Sequence, residues 1–220
     1  MALGATAELV PGNAYRIRAG AARDLKRLHE LLFNAPQPEY IAVAGGLVQA
    51  RALGPVVNLV QALLRGSQTF VCEVNSEVVG VIQTREGGRE VWHALVPLWR
   101  AAWRLLRTYG VSGLPGIVRR MRVRARLEFP PVPGAYHLTQ LAVDPDARSR
   151  GVGAALLRHA EADALRRGFR RISLTTGSAN PACKLFEREG FRIVAQRSDA
   201  EFTRLTASAG RFLMTKELYG

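Results

Sequence analysis

The sequence predicts an α/β fold, and three observations lead to that expectation. Two β-branched runs, residues 69–74 and 78–84, are joined by Asn75-Ser76-Glu77, the pattern of a hairpin. A strand-like run at 138–143 leads into the turn Arg148-Ser149-Arg150-Gly151-Val152-Gly153 and then into a helix-like run at 154–167. Another strand-like run, 171–175, follows that helix. Strands and helices alternating in this way build a sheet flanked by helices. The chain has 220 residues, 48% of them hydrophobic, enough to bury a core as one domain with or without an insertion.

Residues 15–18 alternate like a strand, and residues 21–33 place Leu25, Leu28, Leu31 and Leu32 at helical spacing with Asp24 in the first turn. Pro36 and Pro38 break the chain, after which residues 40–64 read as one or two helices interrupted at Gly45-Gly46 and Gly54-Pro55. The segment at about 86–133, between the hairpin and the next strand, is long enough to have structure of its own. In it Trp92, Val96, Trp99, Trp103 and Leu106 share a helical face, with Arg100, Arg104 and Arg107 on its flank, a pattern of core or interface packing. Residues 121–127, Met-Arg-Val-Arg-Ala-Arg-Leu, alternate with period two, as a half-exposed strand does, within a segment otherwise of helical spacing, and the sequence leaves their state open. Gly168 closes the helix after the glycine turn as a left-handed cap. Asn180-Pro181 opens a further helix as N-cap and first helical residue. Residues 191–196 and 211–218 read as a closing pair of strands.

Residues 1–10 lack a basic start followed by an apolar stretch, and no apolar run approaches the ~18 residues of a spanning helix, so a cytoplasmic protein is expected. The formal charge is +13, from 31 basic and 18 acidic residues. Such a surplus attracts nucleic acid, anionic membrane or acidic partners. Only Lys26, Lys184 and Lys216 are lysines, however, and arginine excess beside abundant Ala and Gly reads as compositional bias, so neither nucleic acid nor membrane is the favoured partner. The two cysteines, Cys72 and Cys183, have no Cys-x-x-Cys spacing and the histidines are not clustered, which argues against a metal site or a disulfide framework. Cys183 is read as a buried filler rather than a reactive thiol.

The glycine turn has the most chemical content. Without a Cβ at Gly151 and Gly153 the backbone can approach a ligand, and the first N–H groups of the following helix suit an anion such as a pyrophosphate. The dinucleotide fingerprint Gly-x-Gly-x-x-Gly fails because Leu156 occupies the third glycine position, and the Gly-Lys-Ser/Thr ending of a phosphate loop is absent. What remains is Arg148-x-x-Gly151-x-Gly153, preceded by Leu141-Ala142-Val143-Asp144-Pro145.

These stretches resemble the acetyl-CoA-binding motif of the GNAT N-acetyltransferase superfamily. The block Asn180-Pro181-Ala182-Cys183-Lys184-Leu185-Phe186-Glu187-Arg188-Glu189-Gly190-Phe191 resembles that family's next helix and its exit into a strand. The two blocks stand in the family's order and at about its spacing, and cover about a third of the chain. The resemblance implies a single domain with a mixed, mostly antiparallel sheet flanked by helices. It makes residues 86–133 an insertion between the family's third and fourth strands, serving as an acceptor-side lid or a homodimer contact. It implies acetyl-CoA as acyl donor, no metal, and an amine acceptor belonging to a protein, a peptide or a small metabolite. A basic enzyme repels cationic small amines, which favours protein or peptide acceptors or less charged amines. Two rival readings are a longer acyl-CoA as donor and a non-catalytic CoA-binding sensor or scaffold.

By the same resemblance Leu141 and Val143, with Ala142 between them, pair with the pantetheine arm as a missing strand would. A nearby backbone N–H stabilises the developing oxyanion. Arg148, Ser149, Arg150, Gly151, Val152, Gly153 and Ala154 surround the pyrophosphate, and Asn180 hydrogen-bonds the CoA arm. Phe186 stands where many members have a tyrosine that protonates the leaving thiolate. Phenylalanine cannot donate a proton but can pack against the arm, and a thiol of pKa near ~8.5 leaves tolerably well as thiolate. Tyr136 or water is the substitute donor. His137, eleven residues before Arg148, matches the position of the general base in the histone-modifying branch, and an imidazole of pKa near ~6.5 suits that task at neutral pH. Glu73, on the second predicted strand, is the rival base.

Overall fold

A computed structural model describes residues 6–10, 13–33, 38–52, 67–86, 98–130 and 132–219. Its strands are β1 (Thr6–Val10), β2 (Asn13–Ala19), β3 (Ser67–Val74), β4 (Glu77–Glu86), β5 (Tyr136–Val143), β6 (Arg171–Gly177), β7 (Arg192–Arg197) and β8 (Arg211–Glu217). They form one sheet in the order β1-β2-β3-β4-β5-β6-β8-β7. The β3–β4 turn holds Asn75 and Ser76 at φ 49° and 67°, the two left-handed residues of a tight hairpin whose twist matches its strands. Of the adjacent pairs only β5 and β6 run parallel, because a helix and not a hairpin connects them.

The helices are α1 (Leu25–Phe33), α2 (Pro38–Ala44), α3 (Leu98–Arg126), α4 (Val152–Arg166), α5 (Cys183–Arg188) and α6 (Ala200–Thr206), with a further helical stretch at 47–52. The β5–β6 crossover is α4, which buries Val152, Ala155, Leu156, Leu157, Ala160 and Ala164 against Phe70, Ile82, Leu138, Ile172, Leu174 and Met214 of the sheet. It sits so close to β4 that a Cβ at Gly80 would lie 2.9 Å from Val152 Cγ1 and 3.0 Å from Leu156 Cδ1. Its end is closed by Gly168, at φ 84°, with Gly168 N–H donating to Leu165 O and Phe169 N–H to Ala164 O, both at 2.9 Å. On the opposite face α1 sets Leu28 and Leu31 on Val71, Val78 and Val81.

Residues 121–127 are not a strand but the end of α3, which kinks at Gly110 (φ 64°, ψ 176°). Alternating Arg and apolar residues over so short a run satisfy both periods, and tertiary packing chooses between them. Here Val123 and Leu127, four apart, are buried against Phe202 of α6, while Met121 and Ala125 face solvent. Trp103 is 61% exposed rather than buried in a core. Trp92, Val96 and the side chain of Trp99 lie outside the described residues, as do residues 53–64 of the expected second helical region. Two elements escaped the sequence reading: β1, and α6, whose N-cap Asp199 accepts the N–H groups of Glu201 and Phe202 at 2.8 and 2.9 Å.

Gly80→Val is expected to force α4 off the sheet and destabilise the fold by roughly 1–3 kcal/mol. Chemical denaturation measures this, and an unchanged midpoint would refute the close contact.

Candidate active site

The pairing of β5 with β6 lasts only from Tyr136↔Ile172 to Leu138↔Leu174. Beyond it the strands part, and the register of β5 against β4 shows how. Leu138 faces Thr84 while Gln140 faces Gln83, so Thr139 is one residue too many on β5. Its hydroxyl donates to Gln83 O at 3.1 Å. Such a bulge bends its strand, here at the residue where contact with β6 is lost. Asp144 N–H donates to Val79 O at 2.8 Å, so strand alternation turns the N–H and C=O of Leu141 and Val143 away from β4 toward the gap. In agreement, Val143 O accepts from Arg148 Nε at 3.2 Å rather than from a strand.

The glycine turn lies at the open end of this gap. Asp144 anchors it, accepting from Asp146 N–H at 2.9 Å and from Arg27 Nη2 at 2.6 Å. Ser149 and Gly151 are left-handed, at φ 61° and 81°, and Gly151 caps α4 with no side chain bonded to the first turn. The first helical bond runs from Ala155 N–H to Gly151 O, so the N–H groups of Val152, Gly153 and Ala154 have no partner within the helix. Arg148, Ser149 and Arg150 are exposed around it. Gly153 has a second reason to be glycine: a Cβ there would lie 2.9 Å from Leu185 Cδ2 of α5.

On the far side of the gap Asn180 Nδ2 donates to Thr176 Oγ1 at 2.9 Å, and its Oδ1 accepts from Ala182 N–H at 3.0 Å. Asn180 thus ties the end of β6 to the turn into α5, leaving one amide hydrogen uncommitted to these bonds. Phe186 is buried, its ring edge-on to Phe191 at 5.9 Å between centroids. Cys183 contacts Gly177 O, and burial raises its thiol pKa, as it raises that of Cys72 to about 11, so neither has the environment of a reactive thiolate.

His137 sits at the closed end of the gap on the face opposite α4, level with Arg85 of β4 and Ser173 of β6. Its Nδ1 is 3.0 Å from Ser173 Oγ. Burial, reinforced by the Arg85 charge, pushes its pKa down to about 4, so the ring is neutral at pH 7. Glu73 is not brought to the gap. It lies on β3, two strands from β5, where Arg18 Nε donates to it at 2.9 Å while the same guanidinium holds Asp24 at 2.7 and 2.8 Å. Tyr136 is fully buried on the α4 face and donates to Asp163 Oδ2 at 2.7 Å, which removes it as a proton donor to the gap. Sequence reasoning also missed Gln83, Arg85 and Gln140. They lie in the polar runs 83–86 and 139–140, where alternation does not single them out, and only the register across the bulge places them on one face.

Comparison with known proteins identifies the family and the fold. Residues 55–191 match the family model described as the acetyltransferase (GNAT) family. The chain therefore belongs to the GNAT acetyltransferase family, whose fold is an α/β sheet flanked by helices. Among solved structures it is similar to the histone acetyltransferase HPA2 and related acetyltransferase of Corynebacterium glutamicum, at 20% identity and TM-score 0.61, over 93% of this chain and 96% of that one. A Bacillus subtilis acetyltransferase in complex with CoA shares 16% identity at TM-score 0.56, over 93% and 99% of the two chains. The ribosomal-protein-S18-alanine N-acetyltransferase of Escherichia coli shares 15% identity at TM-score 0.55, over 94% and 95%. No curated protein matches the chain in sequence. Among the described residues no helix is long and apolar enough to cross a membrane, and no group of His, Cys, Asp and Glu is arranged to hold a metal.

The depressed pKa of His137 has a consequence for stability. Between about 4 and 6.5 the unfolded chain binds a proton that the folded chain does not. The contribution of neutral His137 is therefore complete above about pH 6.5 and is lost as pH falls toward 4. Denaturation from pH 7 to 4 is expected to show this loss in the wild type and a shallower slope in His137→Gln. Equal slopes would mean that the ring is not held neutral.

Proposed function

We propose that this protein transfers an acetyl group from acetyl-CoA to a primary amine of a protein, peptide or small metabolite. The observation that supports this reading best is one juxtaposition: a strand edge without a partner among the described residues, at Leu141–Val143, leads directly into a helix N-terminus without a side-chain cap, at Gly151–Ala154. An extended arm ending in a pyrophosphate fits that pair of features. Leu141 and Val143 would bond the arm through their main chain, with Ala142 between them. The N–H groups of Gly151, Val152, Gly153 and Ala154 would hold the phosphates, with Arg148, Ser149 and Arg150 at their margin. Asn180 would donate its remaining amide hydrogen to the arm, and Phe186 would act by setting α5 against the core.

His137 is assigned the amine. A base of pKa about 4 cannot readily deprotonate an ammonium of pKa roughly 10.4, but burial and Arg85, which depress the imidazole, depress an incoming ammonium as well. The amine then reaches the gap neutral, and His137 accepts its hydrogen bond and orients its lone pair. A main-chain N–H at the gap edge would stabilise the oxygen of the reacting carbonyl. Neither Phe186 nor Tyr136 can protonate the leaving thiolate, so the C–S bond breaks with the thiolate departing as the anion, and the proton lost by the newly acylated nitrogen passes to His137 and from it to solvent. The segment at 86–133 would wall the acceptor side through the end of α3, since Arg124 pairs with Glu39 of α2 at 3.5 Å and with Glu128 at 3.2 Å. Non-catalytic CoA binding is the second reading, favoured by the missing hydroxyl at Phe186.

Free-thiol release from acetyl-CoA, with and without an amine and peptide panel, tests the proposal. Amine-dependent release is expected in the wild type and not in Gly151→Glu. His137→Ala is expected to lower kcat about 10²-fold with CoA affinity retained. With His137 already neutral, kcat/KM should follow the amine's own ionisation with no inflection near 6.5. CoA binding without release from any acceptor would favour the sensor, and absence of CoA binding would defeat both readings.

A further inference from the structure

Five buried side-chain atoms among the described residues make no hydrogen bond: Gln83 Oε1, Arg85 Nε, Gln140 Oε1, Thr175 Oγ1 and Arg211 Nε. They come from β4, β5, β6 and β8, yet register and alternation place them all on one face. Gln83 faces Gln140, Arg85 faces His137, and His137 faces Ser173. Thr175 lies two residues beyond Ser173, and Arg211 faces Gly177, two further on. Directly paired residues, and residues two apart on one strand, share a face. This is the face opposite α4, it spans the gap between β5 and β6, and it includes His137. Buried polar atoms are ordinarily paired, so this concentration on one patch requires an explanation that scattered exceptions would not.

The charges on the patch indicate what it suits. Arg211, only 5% exposed, donates to Glu39 of α2, whose carboxylate lies over Gly177. Arg211 also pairs with Glu128 at 3.7 Å, and Arg124 pairs with both carboxylates, so these two cations and two anions cancel. Arg85 has no carboxylate partner among the described residues and stands beside a neutral imidazole. Among the buried charges of the patch that the structure describes, Arg85 is therefore the cation without an anion, while Arg197, which faces Arg211, is exposed at the strand edge. A group with one negative charge balances Arg85, and a carboxylate matches the planar fork of a guanidinium edge. The two glutamine carbonyls are acceptors placed for the N–H groups of an amine.

We infer that the acceptor is a small amine that also bears a carboxylate, with Arg85 as the residue that selects the carboxylate, Arg211 Nε as a second donor, and Gln83 and Gln140 facing the nitrogen. This rests on the transferase reading above and narrows it from amines in general to zwitterionic ones.

The test compares amino acids of increasing chain length with their carboxamides as acceptors, reading kcat/KM from thiol release. The wild type is expected to prefer the carboxylate of at least one pair by about 10–100-fold, the scale set by a charged hydrogen bond. Arg85→Gln should bring that acceptor down to the level of its amide, and Arg85→Lys should restore part of the preference. Amides used as well as or better than carboxylates would overturn the inference and leave the transferase intact, as would an equal loss on both in Arg85→Gln. Thiol release from no acceptor would overturn both. Because the wild-type comparison needs no variant, a misfolded Arg85→Gln would not shelter the inference.

Discussion

The separation of β5 from β6 after three residue pairs is the constraint on which the remaining architecture turns. A parallel pair left to itself continues, because each further residue gains main-chain hydrogen bonds. Here the extra residue at Thr139 bends β5, and its hydroxyl secures the bend to β4. The rest of β5 then follows β4, down to the bond from Asp144 to Val79. One edge of the strand is thereby left for something other than a strand. The crossover α4 makes the opening tolerable by covering the apolar side of both strands across the point where they part.

The two faces of the sheet are treated differently. On the α4 side polar groups are few and fully engaged: Thr84 Oγ1 donates to Tyr136 Oη, which donates to Asp163, and Arg167 Nε holds the same carboxylate at 2.8 Å. Burial opposes the charge on Asp163, but the bonds from Tyr136 and Arg167 outweigh it and hold its pKa below the usual carboxylate range. This network fixes the far end of α4 as the Gly80 contact fixes its start. The other face leaves buried polar atoms unsatisfied along the gap. A satisfied network rigidifies and unpaired buried polar groups are costly, so the asymmetry separates a supporting face from the face on which the acceptor is proposed to bind.

Much of the arginine surplus has local structural work. Arg120 donates to Val43 O at 3.0 Å, Arg119 to Glu201 at 2.7 Å, and Arg126 lies 3.7 Å from Asp199, so the basic flank of α3 joins it to α2 and α6. Arg27, Arg18 and Arg211 similarly join elements distant in sequence. Exposed pairs of this kind stabilise weakly, but together they orient helices whose apolar contacts are few. Arg119, Arg120, Arg124 and Arg126 thus serve helix-to-helix bonding, while Arg107 and Arg122 of the same helix are exposed.

By itself the sequence determined the elements whose signals are local. The β3–β4 hairpin follows from its turn residues, α4 from its apolar spacing and the glycine that ends it, and the phosphate-suited turn from Gly151, since backbone conformation at such positions is set by the residue and its neighbours. Only the tertiary structure decided the rest. Residues 121–127 became helix because Phe202 offered a partner to Val123 and Leu127, and strand order set Glu73 two strands from β5, where Arg18 pairs with it. The face that carries His137 depends on a bulge of one residue and on the register of four strands, which set which side chains share a surface. Register is an agreement between segments distant in the chain, and no single segment encodes it.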